Sequence, residues 1–232
     1  MIILTFDTET SGLPPYKKII SPDNLDLWPY VMQLSYTIFN TEINDFTLIK
    51  DVIIKIPKDV LVSEGSIKLH GITKEMTQIK GIQIHEALSE FFNHLKKADK
   101  VVGHNIKFDI DMLRVESLRF IWEKKELQKK AISEAKHNLH YLTNLDNIYC
   151  TMENSIDLCN IQTLDRFGKP YTKWPKLSEL HFKLFGTNPN HLHNSLVDVL
   201  VTLRCFMMLS YNMDLNETCD NFKTTVSSLG LL

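Results

Sequence analysis

The sequence has no excess of positive charge: 26 Lys and Arg stand against 28 Asp and Glu, for a formal net charge of −2 and a pI near 6.5. A globally basic nucleic-acid-binding domain is thereby excluded, although a site that gathers carboxylates and carries its positive charge as bound metal gives the same balance. The four cysteines, Cys150, Cys159, Cys205 and Cys219, show no C-x-x-C spacing and read as reduced thiols of an intracellular protein, in cytoplasm or nucleus. No basic leader precedes the first apolar run, so nothing resembles a signal peptide. The longest apolar stretch, Leu196 to Tyr211, is broken by Asp198 and Arg204 and falls short of the ~20 apolar residues a membrane span needs.

What is present fits one α/β domain. The 44% hydrophobic and 23% charged content is that of a globular chain with its own core, and 232 residues need not divide. Met1 to Phe6 reads as a buried strand ending in polar residues and Gly12; Val31 to Phe39 and Phe46 to Ile56 read as two further strands of a meander. From Val62 to Lys97 the apolar spacing turns helical, followed by a strand at Lys100 to Gly103 and a helix capped by Asn105 that runs to about Trp122. Glu123 to Asn144 reads as an inserted charged helix and loop, and Ile148 to Thr151 as a strand. A loop at Asp165 to Pro175 precedes a helix from Lys176 to Phe185 ended by Gly186, and a long helix starts near Asn194. The polar tail from Asn212 reads as partly loose. Strands first, then strands alternating with helices, predict a mixed sheet covered by helices.

Asp7 and Glu9, two residues apart at a strand end, point to one side. Without a cation one of them must hold its proton, so an aspartic-protease-like dyad and a metal site are both open. Asp109, in the first turn of its helix, has a simple explanation in the helix dipole. Asp198 does not: its helix is otherwise apolar, and a carboxylate there needs a partner. His193 lies five positions earlier, about 140° away within one helix, so it serves the same site only from the turn ahead of the helix.

Three runs then carry a resemblance: Phe6, Asp7, Thr8, Glu9, Thr10, Ser11, Gly12, Leu13; Gly103, His104, Asn105, Ile106, Lys107, Phe108, Asp109; and His193, Asn194, Ser195, Leu196, Val197, Asp198. In order and spacing the sequence resembles the DnaQ-like 3′–5′ exonucleases, the histidine-bearing branch of the DEDD superfamily, from Met1 to about Tyr211, with the Gly71, Ile72, Thr73 loop and Lys176, Leu177 as further agreements. The resemblance implies an RNase H-like fold, a mixed five-stranded sheet flanked by helices, with an exonuclease domain at 1–212, the charged insertion at 123–145 and a C-terminal tail at 213–232. It implies that Asp7, Glu9, Asp109 and Asp198 bind two divalent ions, Mg²⁺ or Mn²⁺, which suits an all-oxygen donor set. His193 is then the general base. Thr8, Thr10, Ser11, Gly12, Leu13, Ile72, His104, Asn105 and Phe108 are implied on the substrate side. The partner is a nucleic-acid 3′ end, single-stranded or frayed, DNA rather than RNA, and a polymerase or repair complex is admitted; no membrane partner is expected. Ser195, where the family often has alanine, and the long Trp122 to Leu145 stretch are departures.

Two rivals stand beside this reading. One is a catalytically silent module that binds nucleic acid or a polymerase; the other is an exoribonuclease, since no motif reports on the 2′-OH. His191 is a weaker candidate for the base than His193, and His137 with His140 read as a solvated helix face rather than a zinc pair. Arg114 to His140, with seven Lys or Arg against four Glu, reads as a mixed-charge exposed helix more than a phosphate contact.

Overall fold

The structure is a computed structural model that describes residues 1–123 and 129–231. The first strand, β1 (Ile2–Thr10), runs past the apolar residues and through both acids, because the β2 ladder continues along its polar end after the β4 ladder has stopped at Thr5. Its neighbours are β2 (Val31–Asn40), which leads into β3 (Asp45–Ile53). The expected helical stretch resolves into three helices, α1 (Glu64–His70), α2 (Lys74–Lys80) and α3 (Ile84–Leu95). Gly71 at φ 74 ends α1, and Gly81 separates α2 from α3. Strand β4 (Lys100–Gly103), helix α4 (Ile106–Glu123), helix α5 (Lys129–Thr143) and strand β5 (Ile148–Cys150) follow. The expected insertion at 123–145 thus contains a helix, while 124–128 lie outside the described residues. Next come α6 (Ile156–Cys159), the hairpin β6 (Gln162–Leu164) and β7 (Pro170–Thr172), α7 (Leu177–Phe185), α8 (Ser195–Tyr211), α9 (Leu215–Thr218) and α10 (Asp220–Ser228).

The main sheet has the order β3-β2-β1-β4-β5, antiparallel through the meander and parallel from β1 to β5. It is the mixed five-stranded sheet flanked by helices that the sequence predicts. The order reverses between β1 and β4, and beyond the carboxyl ends of two such strands an α/β sheet leaves a crevice for ligands. Gly103 makes the tight exit from β4: a Cβ there would meet the Ile106 side chain at 2.8 Å. Asn105, expected to cap α4, sits at φ 63, and its backbone carbonyl accepts from Phe108 N at 2.9 Å.

Alternation along β1 divides the core. Leu4 and Phe6 face a layer built from α3 and α4 with Phe91, Phe92 and Leu113. Ile3 faces the opposite layer, where Leu200, Leu203 and Phe206 of α8 pack with Phe222. By the same two-residue period Asp7 and Glu9 belong to the α8 side and Thr8 to the α4 side.

The loose tail expected from Asn212 is replaced by two docked helices. Leu215, Cys219, Phe222, Val226 and Leu231 are buried in the α8 layer. Arg204, one of the two charges interrupting the apolar helix, explains part of this: its guanidinium donates to both carboxylate oxygens of Asp214 at 2.7 Å. It also donates to His181 Nε2 at 3.0 Å and lies over the Phe185 ring at 3.8 Å. A buried cation with a forked carboxylate partner pins the start of the tail. The polar composition that reads as loose belongs to the outer faces of α9 and α10. The loop expected at Asp165 to Pro175 likewise contains most of a hairpin, closed by a turn at Gly168, φ +79. No helix among the described residues is long and apolar enough to cross a membrane.

If the tail is part of the core, Phe222→Ala lowers the unfolding free energy by about 3–5 kcal/mol in urea titrations. A change under about 0.5 kcal/mol would mean that the segment is dispensable to the fold.

Candidate active site

The carboxyl end of β1, the first turn of α4 and the first turn of α8 converge on one cleft of about 730 Å³, which Asp7, Glu9, Asp109, His193 and Asp198 all line. Asp7 and Glu9 stand opposite Ser35 and Gln33 of β2. Asn194 caps α8, accepting from the amides of Leu196 and Val197, and so starts the helix where Asp198 faces the strand. Ser195 Oγ donates to the Asp7 carbonyl at 2.7 Å, which a residue without the hydroxyl could not do. The carboxylates of Asp7, Glu9 and Asp198 bring ligand atoms within 4.8 Å of one another.

Asp109 is held differently. It is 2% exposed, and its Oδ1 accepts from Thr8 N at 3.0 Å and Thr8 Oγ1 at 2.7 Å. The parity of β1 is the reason: Thr8 faces the α4 layer from which Asp109 comes, while Asp7 and Glu9 face α8. Three of the four predicted ligands therefore form a tight group, and the fourth adjoins it through its charge. Thr8, predicted on the substrate side, has its hydroxyl committed to Asp109.

Burial raises the pKa of all four, and the charges of neighbouring acids add to the rise at Asp7, Glu9 and Asp109. Asp7 is pushed well above the ordinary 3.8 by burial, then by Asp109, Asp198 and Glu9. Glu9 rises to about 8 through burial and the charges of Asp198 and Asp109. Burial lifts Asp109 to about 7, opposed by its bonds from Thr8, and Asp198 to about 7, opposed by the His193 amide. Such a cluster calls for cations, and its hard oxygen donors fit Mg²⁺ or Mn²⁺. Among the described residues no group including His137 or His140 has metal-ligand spacing.

His193 occupies the turn ahead of α8, at φ 71, with its amide 3.2 Å and 3.3 Å from the Asp198 oxygens. Burial, then Lys176, lowers its pKa below 6.5, so the ring is neutral near pH 7. The loop before it is tied to the C-terminal segment, since Asn190 donates from its amide to Leu231 O at 3.1 Å and from Nδ2 to Gly230 O at 3.2 Å. His191 is not among the residues lining the cleft; its Nε2 lies toward Gly230.

Of the other predicted substrate-side residues, Thr10, Leu13, His104, Asn105 and Phe108 line the cleft. Leu13 is 87% exposed at its lip. His104 Nε2 meets Pro175 O at 3.1 Å and Nδ1 meets Thr151 Oγ1 at 2.9 Å, and burial lowers its pKa to about 4. It fastens the segment before α7 to the ends of β4 and β5. Ser11 is buried, exchanging bonds with Tyr30 through its own amide and hydroxyl. Ile72 is buried with Met32 and Ile56, away from the cleft. Gly12 accepts from Thr10 Oγ1 through its carbonyl. Sequence reasoning passed over His70, which lines the cleft and holds the β1 end in place by its Nε2 contact to Thr10 O at 3.2 Å. Its position directly before Gly71 was the available signal. Lys176, noted in the sequence only as an agreement with the family, also lies on the cleft wall, as does Trp174, which had no signal because only folding brings it there.

A mixed sheet with acids gathered at its central strand end, joined by a helix-start acid and a loop histidine, defines a hydrolase-like domain whose carboxylates could hold a cation. The chain belongs to the RNase T exonuclease family, whose model, described as exonuclease, matches residues 4–206; this is the DnaQ-like, RNase H-like fold the sequence resembles. Among solved structures it is similar to E. coli exonuclease I in complex with a dT13 oligonucleotide, at TM-score 0.60 and 16% identity over 95% of this chain and 43% of that one. It is also similar to a moderately thermophilic exonuclease I from Methylocaldum szegediense, at TM-score 0.57 and 18% identity over 93% of this chain and 42% of that one. A zinc-bound form of the E. coli enzyme with single-stranded DNA matches at TM-score 0.58 and 14% identity, over 98% of this chain and 43% of that one. The chain thus spans less than half the length of these enzymes. No curated protein matches the sequence.

A carboxyl whose folded pKa exceeds its unfolded value binds its proton more tightly when folded, so the stability it contributes is present at low pH and lost as pH rises. In chelator, the Tm is expected to fall from about pH 4.5 to about pH 8, the window set by the ordinary and raised values of Glu9. Mg²⁺ or Mn²⁺ should restore it at the upper end, and Asp198→Asn should flatten the profile. A metal-independent, level Tm across this window would show that the acids do not crowd one another.

Proposed function

We propose that this chain is a 3′–5′ exonuclease that releases nucleoside monophosphates one at a time from the 3′ end of single-stranded or frayed nucleic acid, with DNA preferred to RNA. The observation that carries it is the meeting of Asp7, Glu9 and Asp198 within 4.8 Å, with Asp109 and His193 in the same cleft. Family membership supports a nuclease, and the DNA oligonucleotides held by the exonuclease I structures support the choice of DNA.

Asp7, Glu9 and Asp198, with Asp109 beside them, would hold two divalent ions. When bound, these supply activation of water and charge neutralisation at the scissile phosphate. The rest is chemistry of the chain itself. His193, neutral near pH 7, takes a proton from the attacking water as its oxygen bonds to phosphorus, and the bond from phosphorus to the 3′ oxygen breaks, that oxygen taking up a proton from solvent. The products are a 5′-monophosphate and a strand one residue shorter with a free 3′ hydroxyl. Leu13 at the lip would pack on the terminal base, with Asn105 and Phe108, which line the same cleft, beside the strand. His104 and His70, engaged through both ring nitrogens, hold the walls rather than the substrate.

A silent binding module would gain nothing from four carboxyls held at raised pKa, and the retained histidine beside them favours chemistry. Asp7→Ala is expected to abolish the ladder from a 5′-labelled oligonucleotide, as is chelation of the wild type. His193→Ala should lower kcat about 10²- to 10⁴-fold with little change in KM. Normal laddering by Asp7→Ala would end the assignment, and wild-type protein that binds the strand but never shortens it in Mg²⁺ or Mn²⁺ would favour the module.

A further inference from the structure

The hairpin of β6 and β7 contributes nothing to either core layer: its strands pair with each other as a separate two-stranded sheet. Yet it is built with care. Asp165 accepts from the amides of Phe167 at 2.8 Å and Lys169 at 2.9 Å, which fixes the turn. Its base is closed by Lys173 N donating to Ile161 O, and Lys173 Nζ pairs with Glu179. A rigid turn that supports no core suggests a surface to be presented.

What it presents is aromatic and cationic. Phe167 at the tip is 79% exposed, Tyr171 47% and Trp174 60%. Arg166 lies over the Phe167 ring at 4.6 Å. Among the described residues no ion pair holds Arg166, Lys169 or Lys176. This is a local positive face on a chain whose formal charge is −2, and exposed aromatic rings interleaved with cations suit the bases and phosphates of a single strand. A protein partner would be served by the rings but gives no reason for the unpaired cations. The face is also continuous with the cleft, because Trp174 and Lys176 line it and the intervening Pro175 is clamped by His104. From Trp174 back to Lys169 the extended chain covers roughly 17 Å.

We propose that this hairpin is a second contact for the nucleic-acid strand, where nucleotides beyond those in the cleft stack on Phe167 and Trp174 and set their phosphates against Arg166 and Lys169. The direction of the strand rests on the exonuclease reading; the binding face does not. The test is the triple variant R166A/F167A/K169A of the full chain, all three positions lying outside the cleft. Fluorescence anisotropy with a 20-nucleotide single strand in chelator should show Kd at least about tenfold weaker than wild type. The slope of log Kd against log salt should shrink by ~1.4, because two phosphates are no longer neutralised by the hairpin. In Mg²⁺, KM for the 20-nucleotide strand should rise by a similar factor at unchanged kcat, while hydrolysis of a dinucleotide, too short to reach the tip, stays at the wild-type rate. Equal affinities and slopes would overturn the proposal and leave the face to a protein partner. A matching loss on the dinucleotide would overturn it too, by showing that the hairpin shapes the cleft. If the wild type releases no mononucleotide in either metal, the exonuclease reading falls, whereas the anisotropy comparison still judges the hairpin.

Discussion

The structure is organised around an electrostatic conflict: four carboxyl groups from three segments of the chain are brought close enough to raise one another's pKa, in a place where burial already disfavours their charge. Nothing in folding alone rewards this arrangement, so the surrounding elements must impose it. β1 does so by lying at the centre of the sheet, anchored between β2 and β4 over Ile3 to Thr5 and paired with β2 through Asp7 and Glu9, so that the two acids keep the strand's alternation. The first turns of α4 and α8 bring the other two acids, at helix ends where partial positive charge offsets part of their cost.

The two helical layers divide the work. The α8 side contributes Asp198 directly to the Asp7 and Glu9 pair, and its helix is anchored by Ser195 to the backbone of β1. The α4 side contributes Asp109 through Thr8, whose amide and hydroxyl fix one of its oxygens. The histidine depends on a third arrangement. Its loop is held at one end by Asp198 and farther back by the C-terminal segment, which docks through Arg204, Asp214 and the rings around Phe222. Distant parts of the chain therefore set the position of a single imidazole.

Much of this was legible in the residues. Asp7 with Glu9 announces itself because strand periodicity is strict, and Asp198 because a carboxylate in an apolar helix is conspicuous. The meander, the parallel strands and the boundaries of α7 and α8 follow from turn residues and caps that act over a few positions. What was misread lies where long-range packing overrides local composition. The tail looks loose because its polar residues dominate the count, while its buried residues are spaced to fit the face of α8. Ile72 looks like a substrate contact by its neighbours, yet it is drawn into a small core with Met32 and Ile56. The hairpin hides in a stretch whose strands are three residues each, too short to show a period.

The sequence by itself determined which acids and which histidine stand out from their elements, the order in which the strands and helices carry them, and the all-oxygen character of the acidic donors, because these depend on residue type and on spacing within one element. Tertiary structure alone decided that Asp109 leans on Thr8 while the other three acids share one point, that His104 and His70 brace the walls, and that Trp174 and Lys176 reach the cleft. Those outcomes depend on which face of β1 meets which helix and on contacts between residues far apart in the chain, and no local pattern encodes either.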